Sequence, residues 1–581
     1  MGNRTGGVVS DGGDSGGRNA GRPEKAMPAI GWLRRYRRAD LAGDLSGGLI
    51  VGVMLVPQGM AYAMLAGLPP VVGLYASFVP LVVYAAFGSS RHLAVGPVAM
   101  LSLLVLTNCA PLAEPGSAEF IQLVLLLTLM AGALQFVLGL ARMGFLANYL
   151  SHGVITGFTA GAAVLIGLSQ LKHLLGVPLA DQHSAPMLVW EAALRIGEAH
   201  TLTLVIGLGG VGVLLLLQRK APRIPAAMLV VIIATLLVYT LGLDRHGVAI
   251  VGEVPHGLPP LVLPGLDAAR AVLLVPAALT IVFIGFIESI AVAEHIATRE
   301  RYRVDPNREL RALGMANLAA AFTSGYVVTG GFSRTAVNYR AGARTPLASF
   351  ITAGVIALTL LLLTPLFRYL PRAALAAIVI AAVAGLIDVG ATRRTFRVKK
   401  ADGFAIVLTF LLTLGAGPEA GVLGGVGYCL ALFIWRSSHP RITELGYVES
   451  EGVFRSTARY PEAKTWPGVL LVRIDASLYF ANMGFVEQWL RRRLNADQNL
   501  RSVILDMSGV NDVDASATET LAELMKDYVA HGVRFALAAT KGPVRDLLQR
   551  VEWPEDVGEP RNYASIQQAL DAVGTEERDK G

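Results

Sequence analysis

Two charged residues stand where charge is costly. Arg334 follows Gly330-Gly331-Phe332-Ser333, and Glu288 lies within Ile284-Gly285-Phe286-Ile287-Glu288-Ser289-Ile290. A guanidinium beside an apolar helix start must pair, face a polar cavity or snorkel to a lipid–water boundary. The cavity reading makes Arg334 a candidate to hold a negative solute. Glu288 is the only acid in its apolar segment before Glu294. A carboxyl group in apolar surroundings favours its neutral form, and a nearby guanidinium favours the charged one. A group under both influences can exchange a proton as its surroundings change. Glu288 therefore suits proton coupling; the alternative is a fixed salt bridge with Arg334. His295, seven residues on along the same helical face, is either a proton relay or an interfacial histidine.

The elements that would position these side chains carry two interruptions. Arg91-His92-Leu93-Ala94-Val95-Gly96-Pro97 and Gly325-Tyr326-Val327-Val328-Thr329-Gly330-Gly331 each read as a short β-type run ending at Gly-Pro or Gly-Gly, after which a helix starts. They lie roughly half a membrane domain apart. Such a pair points to inverted repeats with a binding site where two half-helices meet; the alternative is ordinary spanning helices kinked by Gly and Pro. Two facing helix N-termini offer unpaired N–H groups and positive dipole ends, which suit an anion. Candidates to touch the anion are then Gln58 and Tyr62 in the first crossing, Pro97, Val98 and Ala99 at the first break, and Phe332, Ser333 and Arg334 at the second. Tyr62 and Phe332 could equally be plain packing residues.

Composition requires a membrane around these elements. Mean hydropathy is +0.53 and only 16% of the 581 residues are charged, an apolar content beyond that of ordinary soluble domains. Ser46 to Ser90 contains no charged residue, enough for two crossings. Apolar runs suggest fourteen crossings, centred near residues 55, 80, 103, 130, 160, 210, 233, 280, 315, 337, 357, 380, 409 and 427. Basic residues collect at Arg34 to Arg38, Arg219 to Arg223, Arg299 to Arg311 and Arg393 to Lys400, all after even-numbered crossings if the N-terminus is inside. The chain should thus be a multi-pass protein of the cell membrane, plasma or inner, with its N-terminus and C-terminal domain in the cytoplasm.

The net charge of +7 does not indicate nucleic acid, because residues 440–581 carry a net −5 and the excess belongs to the membrane part. Cys109 and Cys429 lie far apart in apolar segments, so neither a disulfide framework nor a metal set is expected. Residues 1–30 lack an apolar signal-peptide core and read as a disordered tail. The transport domain is read as 31–438, followed by a linker, 439–460, an α/β domain, 461–575, and a short tail, 576–581. In the α/β domain Val469–Ile474, Ser502–Met507 and Arg534–Ala539 read as strands. Glu487–Leu494, Ala517–Ala530 and Val544–Val551 read as helices. No phosphate loop, metal cluster or nucleophile-base pair is legible in it, which suggests a binding or regulatory module and no enzyme.

Four motifs resemble the SulP family of anion transporters. They are Val56-Pro57-Gln58-Gly59-Met60-Ala61-Tyr62-Ala63, Gly73-Leu74-Tyr75-Ala76-Ser77-Phe78, Asp305-Pro306-Asn307-Arg308-Glu309-Leu310 and the stretch Gly330 to Asn338. The C-terminal domain is similar to a STAS domain, through Val503 to Val510 leading to Val513-Asp514-Ala515-Ser516. The resemblance implies a polytopic α-helical fold of the uracil-permease type, with 14 transmembrane segments as 7+7 inverted repeats in core and gate domains. It also implies a homodimer and an elevator-like movement of the core. By motif, Gln58, Tyr62, Pro97, Val98, Ser333 and Arg334 take anion-site positions and Glu288 the acidic position of the eighth helix, where sodium-coupled bicarbonate relatives carry Asp. Ser516 sits where related proteins carry a phosphorylated serine, but Ala517 replaces the following Gly, and a buried helix-capping serine is the other reading.

The function expected is secondary active transport of a small inorganic anion, foremost proton-coupled sulfate uptake, with no cofactor and no metal. Sodium-coupled bicarbonate symport and chloride or dicarboxylate exchange use the same fold. A membrane anion sensor signalling through the STAS domain to a cytoplasmic partner is the alternative outside transport.

Overall fold

The computed structural model describes residues 32–33, 36–145, 152–179, 184–220, 225–550, 553 and 561–578. The expectation of a disordered tail over 1–30 lies outside them, as do Arg34, Arg35, Arg223 and the last three residues. Two compact units, 1–427 and 428–581, divide the chain.

Unit one is helical. Its elements in chain order are α1 (Leu41–Leu65), α2 (Pro70–Ala76), α3 (Val79–Phe87), β1 (Val95–Gly96), α4 (Ala99–Cys109), α5 (Ala118–Leu140), α6 (His152–Ser169), α7 (Leu171–Leu175), α8 (Ala185–Leu194), α9 (Thr201–Lys220) and α10 (Ala226–Leu241). They continue with α11 (Ala268–Arg299), α12 (Pro306–Phe322), β2 (Thr329–Gly330), α13 (Phe332–Arg340), α14 (Leu347–Leu358), α15 (Arg372–Ala384), α16 (Val389–Val398), α17 (Lys400–Ala416) and α18 (Pro418–Ser438). All fourteen expected centres fall within helices. Among the described residues, nine helices are long and apolar enough to span a bilayer unaided. The other five of the fourteen depart from that pattern: α4 and α13 are half-length, α10 and α17 have 16 and 17 residues, and α12 carries Arg308, Glu309 and Arg311 in its first turns. Only helices covered by other helices can keep such features in a bilayer. Two helices were not anticipated, α8 and α16, because each is short and neither resembles a crossing.

Both interruptions are real breaks, not kinks. β1 and β2 pair antiparallel, Val95 with Gly330 and Gly96 with Thr329, so segments far apart in sequence meet inside the bundle. Side chains fasten this pair. Asn317 Nδ2 donates to Gln135 Oε1 at 2.9 Å and to the Val328 carbonyl at 3.1 Å, and its Oδ1 accepts from the Val328 amide at 2.7 Å. The Gly330 amide donates to Ser289 Oγ at 2.8 Å, and the Ala94 amide to Thr335 Oγ1 at 3.0 Å. Buried backbone groups that leave regular structure need such partners.

The family-like motifs are packing devices in this frame. A Cβ on Gly73 would lie 1.9 Å from the Gly59 carbonyl oxygen, so only glycine lets α1 and α2 approach this closely. Asp305 caps α12 by accepting from the amides of Asn307 and Arg308, with Pro306 in the first turn. Glu309, fully buried, accepts from Tyr84 Oη, the Ser89 amide, Ser89 Oγ and the Ser90 amide. This latch ties α12 to the end of α3.

Unit two is an α/β domain with α19 (Phe480–Ala496), α20 (Ala515–Ala530), α21 (Gly542–Leu548) and α22 (Ile566–Arg578). Its six-stranded sheet has the order β4-β3-β5-β6-β7-β8, built from Ile442–Val448 (β3), Val453–Ser456 (β4), Val469–Ile474 (β5), Ser502–Asp506 (β6), Arg534–Ala538 (β7) and Arg561–Tyr563 (β8). β5 to β8 run parallel and β3 joins β5 antiparallel. Period-2 alternation splits the strands between two cores: Val503 and Leu505 pack with Val486, Leu490 and Leu521, while Ile504 faces Leu570 and Val573.

Two expectations need correction here. Segment 439–460 is not a linker, because β3 and β4 complete the sheet; Glu444 and Gly446 interrupt their apolar pattern and hide the strand. Ser516 is neither buried nor the helix cap: it is exposed within α20, and Asp514 caps that helix by accepting from the Ala517 amide at 2.8 Å.

Candidate functional site

Helices α4 and α13 start immediately after the β1–β2 pair, and neither N-terminus is capped by a side chain. Their first-turn amides and dipole ends are therefore available to a ligand. Beside them lies a cavity of about 420 Å³, within the range of small-molecule sites. Its lining includes Gln58, Tyr62, Val98, Ala99, Phe332, Ser333, Arg334 and Glu288. Residues chosen from four separate stretches of sequence thus line one cavity.

Pro97 is the exception among the candidates. It does not line the cavity, but its carbonyl accepts from Arg334 Nη1 at 2.7 Å. Arg334 is only 2% exposed, so it does not snorkel. Its guanidinium folds back on the backbone: a Cβ on Gly331 would lie 2.7 Å from Cζ. Among the described residues no ion pair joins Arg334 to Glu288 within 4.0 Å, so the fixed salt-bridge alternative is not what the structure contains. His295 is exposed, as an interfacial histidine would be.

Four polar atoms around this cavity are buried without a hydrogen-bond partner: Gln58 Oε1, Glu288 Oε2, and Arg334 Nε and Nη2. Buried polar groups are nearly always paired, so a cluster of orphans facing one cavity marks a place for a polar guest. The donors among them, Arg334 and the helix amides, suit an anion. Among the described residues no group of three or more His, Cys, Asp or Glu could hold a metal ion.

Sequence reasoning missed the rest of the lining. Leu214 and Gln218 of α9, Ala226 of α10, Ile378 of α15 and Leu386 just beyond it complete the cavity, as does Arg340 at the end of α13. An apolar residue in an apolar helix gives no signal of the face it presents. Arg340 looked like any basic helix end.

Residues 41–409 match the Sulfate permease family and residues 460–569 match the STAS domain. The chain is 38% identical over 565 residues to "Sulfate transporter 4.1, chloroplastic" of Arabidopsis thaliana, covering 94% of this chain and 82% of that protein. It is 35% identical to "Sulfate transporter 1.1" of the same plant, covering 95% and 89%. The structure of murine Slc26a9, an anion transporter in its inward-facing state, superposes with a TM-score of 0.88 at 26% identity, covering 98% of this chain and 100% of that one. The transmembrane domain of the cyanobacterial bicarbonate transporter BicA shares the fold, with a TM-score of 0.59 at 22% identity over 68% of this chain and 98% of that one. By the match across most of its membrane unit and by these full-length relatives, this chain belongs to the sulfate permease family and carries a STAS domain at its C-terminal end.

Proposed function

We propose that this protein is a secondary active transporter of small inorganic anions, with sulfate as its main cargo and a proton as the coupling ion. The observation that carries this reading is the meeting of two uncapped helix starts and the buried, incompletely paired Arg334 at one cavity. A divalent oxyanion would accept from those amides and from Nε and Nη2. Glu288 lines the same cavity; protonation would remove a negative charge from beside the anion and so favour loading. The first, third, eighth and tenth crossings line the cavity together with α9, α10 and α15; the family resemblance supports elevator-like sliding of one group of helices past another. The basic loops after even-numbered crossings support a cytoplasmic N-terminus and STAS domain. Sulfate-transporter relatives at 34–38% identity favour sulfate over bicarbonate or chloride.

The test is radiolabelled sulfate uptake by purified protein in liposomes, with pH and sodium gradients imposed separately. Uptake should rise when the outside is acidified and ignore sodium. Glu288→Gln should abolish proton-driven accumulation while sulfate–sulfate exchange persists. Flux that follows sodium, or wild-type flux indifferent to pH, would refute proton coupling; tight sulfate binding without any flux would favour a sensor.

A further inference from the structure

The helix α16 lies outside the transport cavity. It has ten residues, none of them buried, and it is joined to α15 by residues 385–388 and to α17 by Lys399 alone. Connections this short keep it within a few ångströms of the ends of two membrane helices. Its charge keeps it out of the hydrocarbon: Arg393, Arg394, Arg397, Lys399 and Lys400 fall within eight residues. Val389 and Val398 are 73% and 87% exposed. Apolar side chains open to the outside beside a row of cations suit the headgroup zone of a bilayer, and suit water poorly.

One face of this segment forms a shallow cleft. Arg393, Phe396 and Arg397 of α16 line it at i, i+3 and i+4, and Lys400 and Phe404 of α17 line it from across the break at Lys399. The Phe396 ring lies on Gly403 of α17, where a Cβ would come within 2.5 Å of it, and this contact fixes the floor. Arg394 points elsewhere and reaches Asp388 at 3.6 Å, while Asp388 also caps α16 through the Ala391 amide. Among the described residues, no ion pair reaches Arg393, Arg397 or Lys400. Three cations that make no ion pair therefore share a cleft with two aromatic rings, beside the ends of two helices read as membrane spans.

We infer that this cleft binds the headgroup of an anionic phospholipid. Guanidinium groups match the oxygens of a phosphodiester, and the rings supply the amphipathic contact that aromatic side chains make at the level of headgroups. Bilayer phosphates are the anions present at this depth, and the tether to α15 and α17 holds the cleft there. The site is distinct from the transport cavity, shares no lining residue with it, and does not depend on which anion is carried.

The test uses the full-length protein in detergent micelles, with lipid binding followed by native mass spectrometry. The probes are phosphatidylglycerol and phosphatidylcholine of matched acyl chains. Wild type should bind phosphatidylglycerol more tightly. The triple variant R393Q/R397Q/K400Q should lose about fivefold for each cation removed, on the order of a hundredfold in all. A control, R37Q/R38Q/R303Q, removes three exposed cations elsewhere and should leave that affinity within about twofold of wild type. All six side chains are exposed, so both variants should elute from gel filtration as wild type does. Equal binding of the two lipids by wild type, or equal losses in the two triple variants, would overturn the proposal.

Discussion

Arg334 Nη1 donates to the carbonyl oxygen of Pro97 at 2.7 Å, joining the first turn of one half-helix to the segment that leads into the other. The bond uses one corner of the guanidinium and leaves Nε and Nη2 without partners. Arg334→Gln should lower sulfate uptake by about 10- to 100-fold, the scale of a lost charged hydrogen bond of about 1.5–3 kcal/mol. Arg334→Lys should recover only part of it, because an ammonium group cannot serve Pro97 and an anion with the same planar fork. Gly331→Ala should act through the same group, since the new methyl would displace the guanidinium. Initial rates in proteoliposomes, with gel filtration as the check on folding, decide each case.

The Glu309 latch should matter for stability. Four donors converge on its two oxygens, and Glu309→Gln would turn an NH₂ group toward some of them. Leaving buried donors without an acceptor costs about 1–3 kcal/mol. Tyr84→Phe removes one donor and should cost about 1 kcal/mol. Thermal denaturation of the purified variants should rank Glu309→Gln below Tyr84→Phe and both below wild type.

Gly73→Ala should be poorly tolerated, because its methyl would meet the Gly59 backbone, which has no rotamer to change. Forcing α1 from α2 should cost about 1–3 kcal/mol and slow transport as well, since Gln58 is next to Gly59 in the cavity wall. Gly209→Ala in α9 meets nothing within 4 Å and should leave the melting temperature unchanged or slightly raised.

In the STAS domain, Tyr528 is fully buried and donates to the Leu490 carbonyl at 2.6 Å. Burial pushes its phenol up to about 12 from an ordinary value of 10.0. The folded form thus favours the neutral ring, and the resulting stability is full below pH 10.0 and lost as pH rises through about 12. A difference titration at the phenolate absorbance, wild type against Tyr528→Phe, should place the missing transition near that upper value. A transition near 10.0 would show that the ring is solvated.

Much of the site was legible because membranes make sequence unusually informative. A charge inside an apolar run has few explanations, so Arg334 and Glu288 stood out from their neighbours alone. Gly96-Pro97 and Gly330-Gly331 announced the breaks, since neither pair continues a helix easily. The β3 and β4 strands were missed because polar residues and Gly446 mask their alternation, and Ser516 was misread because Asp514, two residues earlier, holds the cap.

The sequence by itself determined that the chain enters a bilayer, where its helices interrupt and which charged side chains must find polar company there. These follow from transfer costs that each residue carries with it. Tertiary structure alone decided that Val95 pairs with Gly330, that Arg334 bonds Pro97 and leaves Glu288 unpaired, and that α9, α10 and α15 close the cavity. Those facts depend on which face an apolar helix turns inward, and a run of Leu, Ile and Ala is equally apolar on every side.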